Sequence, residues 1–364
     1  MTHPTRRRVL AAAGGFALAA PLVRRADAAV DERSIGEMFL VGFNGPAPDA
    51  AGAQNLARHV EAGRVGAICF LGHNARSRDG VEGLTKLFTA AGRAYKPLVA
   101  IDQEGGAVQR LGAKLGYRAL SPALFVARGN EPPAARAIYA GMARETKASG
   151  FNFNLAPVVD LGFEPRNPII SKYNRAFGID GATVARYGEA FVAGHREAGV
   201  LTSLKHFPGH GSTLVDSHEH PVDLTPTWKS DEVEPYRRMI RSGFVDTIMS
   251  GHLVHAKYTG GLPATLSPQA IDGWLRGELG FGGVVVTDDL DMAAIRSTWS
   301  LEEAVVRAIG AGNDLIMLSN SRNPDPDMPA KLIGDVRADV ADGRLKPGRI
   351  EAAAQRLRAL RARV

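Results

Sequence analysis

Residues 200–211 read Val200-Leu201-Thr202-Ser203-Leu204-Lys205-His206-Phe207-Pro208-Gly209-His210-Gly211. An apolar run passes directly into a segment that crowds Lys205, His206 and His210 among Pro208, Gly209 and Gly211. A strand ending in a Gly/Pro loop loaded with basic and imidazole groups makes a poor core and a good active-site rim. Asp216-Ser217-His218 follows a few residues later. A second stretch, Gly283-Val284-Val285-Val286-Thr287-Asp288-Asp289, has the same design. Its β-branched run suits a buried strand and delivers two carboxylates at the C-terminal end.

Outward from these two stretches, short β-rich runs alternate with longer amphipathic patterns. Strands are expected at 38–43, 65–70, 98–102, 152–159, 201–205, 247–250, 283–287 and 314–318. Helices are expected at 133–149, 182–198, 232–242, 268–279 and 301–311. Gly150, Gly199, Gly243, Gly280 and Gly312 stand just past these helices, where C-terminal capping glycines belong. Ser267-Pro268 supplies an N-cap and a proline at the first helical position. Eight strands each followed by a helix predict a single-domain α/β (β/α)8 TIM barrel over residues 29–364. The last helices, at 330–341 and 349–361, read as barrel closure. A doubly wound open sheet would need a glycine-rich phosphate loop after its first strand, and Gly42-Phe43-Asn44-Gly45 is not one. No internal repeat, low-complexity segment or interdomain linker interrupts the pattern.

Residues 1–28 read as an export signal of the twin-arginine type. Thr5-Arg6-Arg7-Arg8-Val9-Leu10 is its basic region, residues 9–23 are apolar, and Ala26-Asp27-Ala28 fits a cleavage site. The apolar stretch is short for a membrane span; a short N-terminal anchor is the alternative reading. Localisation is therefore expected to be periplasmic or secreted. The formal charge of +6 falls to about +2 without these residues, which hold five arginines and one aspartate. The basic pI is thus weak evidence for nucleic-acid binding, and no Arg/Lys stripe interleaved with aromatics exists. Cys69 is the single cysteine, so no intrachain disulfide forms, and its apolar neighbours predict a buried thiol.

Polar residues gather where the expected strands end: Asp102, Asp160, Lys205 with His206, His252, and Asp288 with Asp289. In a barrel this rim houses the active site. A metal centre is not expected. His206 and His210 are separated by Pro208 and Gly209, so they cannot share a helical face. His218 and His220 form an H-x-H pair, but Pro221 follows and no cysteine partner exists.

These motifs in this order resemble glycoside hydrolase family 3, in its single-barrel bacterial β-N-acetylhexosaminidase branch. The resemblance rests on Asp102-Gln103-Glu104-Gly105-Gly106 with Arg110, on Asn154-Leu155-Ala156-Pro157-Val158-Val159-Asp160, and on Arg175-Ala176-Phe177-Gly178. It rests equally on the Lys205–Gly211 stretch, Asp216-Ser217-His218, and Gly283 through Met292. It covers nearly the whole chain after residue 28. It implies Asp288 as nucleophile, His218 as acid/base paired with Asp216, and Asp102, Arg110, Arg175, Lys205 and His206 as sugar-binding residues. Asp289 is expected to support rather than react.

The chemistry fits these implied roles. A retaining glycosidase needs a carboxylate that traps the oxocarbenium-like centre and a group that first donates and then accepts a proton. Imidazole can serve because it ordinarily titrates at about 6.5. Asp216 and His218, two apart in an extended segment, face the same side. The expected function is a cofactor-free, monomeric retaining exo-β-N-acetylglucosaminidase acting on GlcNAc-terminated peptidoglycan fragments or chitooligosaccharides. A β-glucosidase or phosphorylase of the same family, or a non-catalytic envelope sugar-binding protein, are the competing readings. Three departures from the family pattern stand out: residues 167–175 are about two residues longer, Gly282 replaces a common aspartate, and Trp274 replaces an aliphatic residue. The leader is a fourth, because the peptidoglycan-recycling members are typically cytoplasmic.

Overall fold

The computed structural model describes Met1 and residues 30–364; the export signal expected at 1–28 otherwise lies outside the described residues. Eight parallel strands form one sheet: β1 Phe39–Gly42, β2 Ala67–Phe70, β3 Leu98–Ile101, β4 Phe153–Asn154, β5 Leu201–Phe207, β6 Thr247–Ser250, β7 Val284–Thr287 and β8 Ile316–Leu318. Neighbours in sequence are neighbours in space, and β1 pairs with β8 through Phe39↔Ile316 and Leu40↔Met317. A parallel bridge between Val286 and Leu315 joins β7 to β8 and closes the barrel. Every residue of β1, β2, β3, β5, β6 and β7 is buried. That is the pattern of strands covered on both faces, and it explains their near-continuous apolar composition.

The outer layer holds α1 Ala51–Glu61, α2 Arg78–Ala91, α3 Pro132–Ala148, α4 Gly181–Glu197, α5 Glu234–Ser242, α6 Leu301–Ala311, α7 Met328–Ala341 and α8 Pro347–Arg361. Short polar side chains start several of them. Ser77, Asp180 and Ser300 each accept a hydrogen bond from a first-turn N–H, at 3.1, 2.9 and 3.1 Å. Such a cap contributes about 1 kcal/mol. α6 buries Ala304, Val305, Ala308 and Ile309, the stripe a helix presents to a sheet. All five glycines read as C-terminal caps adopt positive φ, from 65° to 106°, a region that strains any other residue.

Three local expectations need correction. The strand expected at 152–159 is regular only at Phe153–Asn154, because Pro157 has no N–H to give the ladder; pairing resumes at a lone bridge between Val158 and Lys205. β5 runs two residues beyond its expected end at 205, so His206 and Phe207 sit within the strand rather than after it. The helix expected at 268–279 has π-type winding over Gln269–Glu278, with Leu279 N–H reaching back to Trp274 O.

At the N-terminal face of the barrel, Glu37 receives Arg358 at 2.9 Å and Arg361 from α8. The buried Glu37–Arg361 pair ties the last helix to the residues just before β1, which supports the reading of the C-terminal helices as closure.

Candidate functional site

At the C-terminal ends of the strands, the loop after β3 is set first. Asn154 on β4 exchanges hydrogen bonds with the Gln103 backbone at 3.0 and 2.8 Å. The Gln103 side chain pairs with the Leu111 backbone, 3.0 Å in each direction, and so holds the turn that carries Arg110. Asp102 and Glu104, on this pinned loop, both accept from Lys205 Nζ at 2.8 Å. Arg175 closes on Glu104 in a two-pronged pair, Nε to Oε2 and Nη2 to Oε1, each 2.8 Å. Arg110 stands 3.7 Å from Asp102. Burial alone would raise the Glu104 carboxyl, but Arg175 and Lys205 outweigh it and hold it well below the ordinary range. Lys205 is held cationic in the same way, its burial overcome by Asp102 and Glu104. The longer 167–175 segment does not displace Arg175 from the site.

Asp160 organises the end of β5. Its Oδ1 accepts from the His206 and His210 N–H groups at 3.0 and 2.8 Å, and its Oδ2 accepts from His206 Nδ1 at 2.7 Å. His206 Nε2 has no protein partner among the described residues. Asn167 braces the same turn through His210 O and Gly211 O, at 2.8 and 3.1 Å.

Asp288 follows β7. Burial acts to raise its carboxyl, yet the imidazoles of His252, His206 and His218 together pull it down to about 2. It is therefore an anion across the working pH range. Asp289 differs: burial pushes it up to about 6. Its Oδ1 accepts from Ser319 and Asp291 N–H at 2.9 and 3.1 Å, which joins the loops after β7 and β8. His252, after β6, donates from Nε2 to Asp289 O at 2.8 Å.

Asp216 and His218 lie on the loop after β5, not in the extended segment expected but in a turn closed by the Glu219 and His220 N–H groups on Asp216 O, at 3.1 and 3.0 Å. His218 Nδ1 donates to Asp216 Oδ1 at 2.7 Å, and the His218 N–H reaches the same oxygen at 2.9 Å. Burial tends to raise Asp216, but these two bonds hold its carboxyl below the ordinary value. With Nδ1 engaged, Nε2 is the nitrogen left to meet a substrate. The charge of His218 is felt at both Asp288 and His252.

The structure thus brings all eight sequence-derived candidates to one face. Glu104, Asp160 and His252 join them. Their signals were present, Glu104 inside the Asp102–Gly106 motif and the other two at strand ends, but only packing shows which charges they hold. An anionic carboxylate among imidazoles, with lysine, arginine and carboxylate donors and acceptors beside it, suits a polyhydroxylated ligand and a cationic transition state. Among the described residues, no group of three His, Cys, Asp or Glu is arranged to hold a metal ion, and no helix is long and apolar enough to cross a membrane.

Residues 30–360 match the family described as "Glycosyl hydrolase family 3 N terminal domain", which places the chain among the glycoside hydrolases. It belongs to family 3 of these enzymes. A β-hexosaminidase of Xylella fastidiosa strain M12 is 37% identical over 322 residues, 84% of this chain and 88% of that protein. One from Vibrio cholerae is 36% identical over 262 residues, 71% and 76% of the two chains. The solved β-N-acetylhexosaminidase of Beutenbergia cavernae superposes with a TM-score of 0.82 at 32% identity, covering 91% of this chain and 98% of its own. The family 3 β-N-acetylglucosaminidase of a Paenibacillus species gives 0.81 at 32% identity, and this chain covers 62% of that longer one.

Proposed function

We propose that this protein is a retaining exo-β-N-acetylglucosaminidase that removes terminal β-linked GlcNAc from peptidoglycan fragments or chitooligosaccharides outside the cytoplasm. The observation that carries the reading is the pairing of an ionised Asp288 with a His218 whose Nε2 is left free by Asp216. Asp288 attacks the anomeric carbon as the glycosidic C–O bond breaks, and His218 Nε2 gives its proton to the departing oxygen. Water then attacks the glycosyl-aspartate, His218 takes the water proton, and the Asp288 carboxylate leaves with the β configuration restored. Asp102, Arg110, Arg175, Lys205 and His206 hold the sugar, and Glu104 and Asp160 keep Arg175, Lys205 and His206 aimed. No metal or organic cofactor takes part. The names of the relatives support the GlcNAc specificity, and the leader-like residues 1–28 support export.

The test is incubation with purified muropeptides and with chitobiose, products identified by mass spectrometry and the first-formed anomer by proton NMR. Free β-GlcNAc as the first product is expected from both. First-formed α-GlcNAc would overturn retention. GlcNAc 1-phosphate in phosphate buffer would establish phosphorolysis instead, and the absence of any turnover would favour a sugar-binding protein.

A further inference from the structure

We propose that His210 and Ser217 form a latch that positions the Asp216–His218 pair over the barrel. The inference rests on His218 being the acid/base. In the segment 216–218 the outer side chains are 29% and 63% exposed, whereas Ser217 between them is 2% exposed. The segment is a tight turn, in which Asp216 O accepts from the Glu219 and His220 N–H groups at 3.1 and 3.0 Å, and Ser217 is the side chain it turns inward. What Ser217 meets there is His210 Nε2, 3.0 Å from its hydroxyl.

The His210 end of the latch is fixed from several sides. Its backbone N–H donates to Asp160 Oδ1 at 2.8 Å, and its Nδ1 lies 2.7 Å from Thr213 Oγ1. With the Thr213 hydroxyl proton assigned to His210 O at 3.1 Å, His210 Nδ1–H is the donor to Thr213. Nε2 is then the acceptor, and the Ser217 hydroxyl is its donor. Burial, reinforced by the neighbouring His206, lowers His210 to about 4, which keeps the ring neutral at ordinary pH. Asp160 therefore fixes both His206 at the sugar and the anchor of the loop that carries His218.

The Ser217 end has nothing else. Among the described residues, the His210–Ser217 bond is the single hydrogen bond joining residues 214–220 to the rest of the molecule; the others in this segment run from His218, Glu219 and His220 back to Asp216. Apolar packing does not replace it, since Leu214 and Val215 are 45% and 39% exposed. Position at the reacting centre matters steeply in catalysis, and one buried hydrogen bond supplies it here.

Proton donation is needed in proportion to how poor the leaving group is, so the latch is read by comparing substrates. The quantity is kcat/KM, which reports the first covalent step, for phenyl and for 2,4-dinitrophenyl N-acetyl-β-glucosaminide. Ser217→Ala is expected to lose about tenfold or more on the phenyl substrate and less than about threefold on the dinitrophenyl one. His210→Phe, which keeps a ring but no acceptor, should show the same selectivity. Ser217→Thr keeps the hydroxyl and should return to within about threefold of the parent. In a His218→Ala background, Ser217→Ala should cost nothing further on either substrate. Equal loss on both substrates, or no loss on either, would overturn the latch while a selective His218→Ala left the acid/base reading standing. An unselective His218→Ala would overturn both together. A dinitrophenyl kcat/KM within about threefold of the parent shows at once that each variant has folded.

Discussion

Asp288 and Asp289 are neighbours in the chain and yet are driven to opposite sides of an ordinary aspartate. Both are desolvated at the end of β7. Three imidazoles offset this for Asp288 and bring it to about 2, whereas the Ser319 and Asp291 N–H bonds do not offset it for Asp289, which rises to about 6. The proposed nucleophile must be ionised, which favours Asp288, whose Oδ1 accepts from the Asp289 N–H at 2.9 Å; Asp289 instead gives its Oδ1 to two backbone groups. Asp288→Ala should therefore lower kcat for an aryl GlcNAc by several orders of magnitude, because no other carboxylate is placed to form the glycosyl-enzyme. Asp289→Asn should lose far less, its amide oxygen still accepting from Ser319. A fluorosugar that traps the intermediate should be found by peptide mapping on Asp288. Its recovery on Asp289 would reverse the assignment.

At the scale of elements, the segment between β5 and α5 concentrates the unusual groups. Glu232 lies within it, fully buried and, among the described residues, without a cationic partner, and its Oε2 accepts from Gly211 and Ser212 N–H at 2.8 and 3.3 Å. Burial pushes this carboxyl up to about 7. A folded-state value above the unfolded one means that the native protein binds more protons, so stability falls as pH rises from about 4.5 to about 7. The loss approaches roughly 3 kcal/mol above pH 7. Glu232→Gln should remove most of this slope, seen as Tm values at pH 5 and pH 8 that lie closer together than in the parent. A slope unchanged in the variant would assign it to Asp289 or another group. This same segment marks where sequence reading stops. The eight strands, their order and the capping glycines were legible because period and turn chemistry are local. So were Lys205, His206, Asp216, His218 and Asp288, because their motifs end strands or sit in loops. The early end of β4 was legible as well, since Pro157 stands in the sequence; the extra reach of β5 and the service of Glu104, Asp160, His210 and Glu232 were not. Each depends on which buried charge or N–H from another strand stands opposite, and no spacing within one strand encodes that.

For the molecule as a whole, the closing contacts join the two ends of the described chain. β1 pairs with β8, and Arg358 and Arg361 reach Glu37. The barrel is therefore complete only once nearly all residues have been made, and the buried Cys69 leaves no disulfide to assist later folding. The proposed export would suit a route that carries folded proteins, and the Arg6-Arg7-Arg8 sequence before an apolar stretch resembles the signal for such a route. Residues 1–28 fused to a reporter that must fold before export should carry that reporter across the membrane. Replacing Arg6, Arg7 and Arg8 by Lys should leave it in the cytoplasm, because the charge is unchanged but the guanidinium fork is lost. Fractionation after brief labelling reads the outcome. Export that survives the lysine substitutions would assign the leader to general secretion, and the barrel would then have to fold after crossing, from a chain whose first and last elements must still find each other.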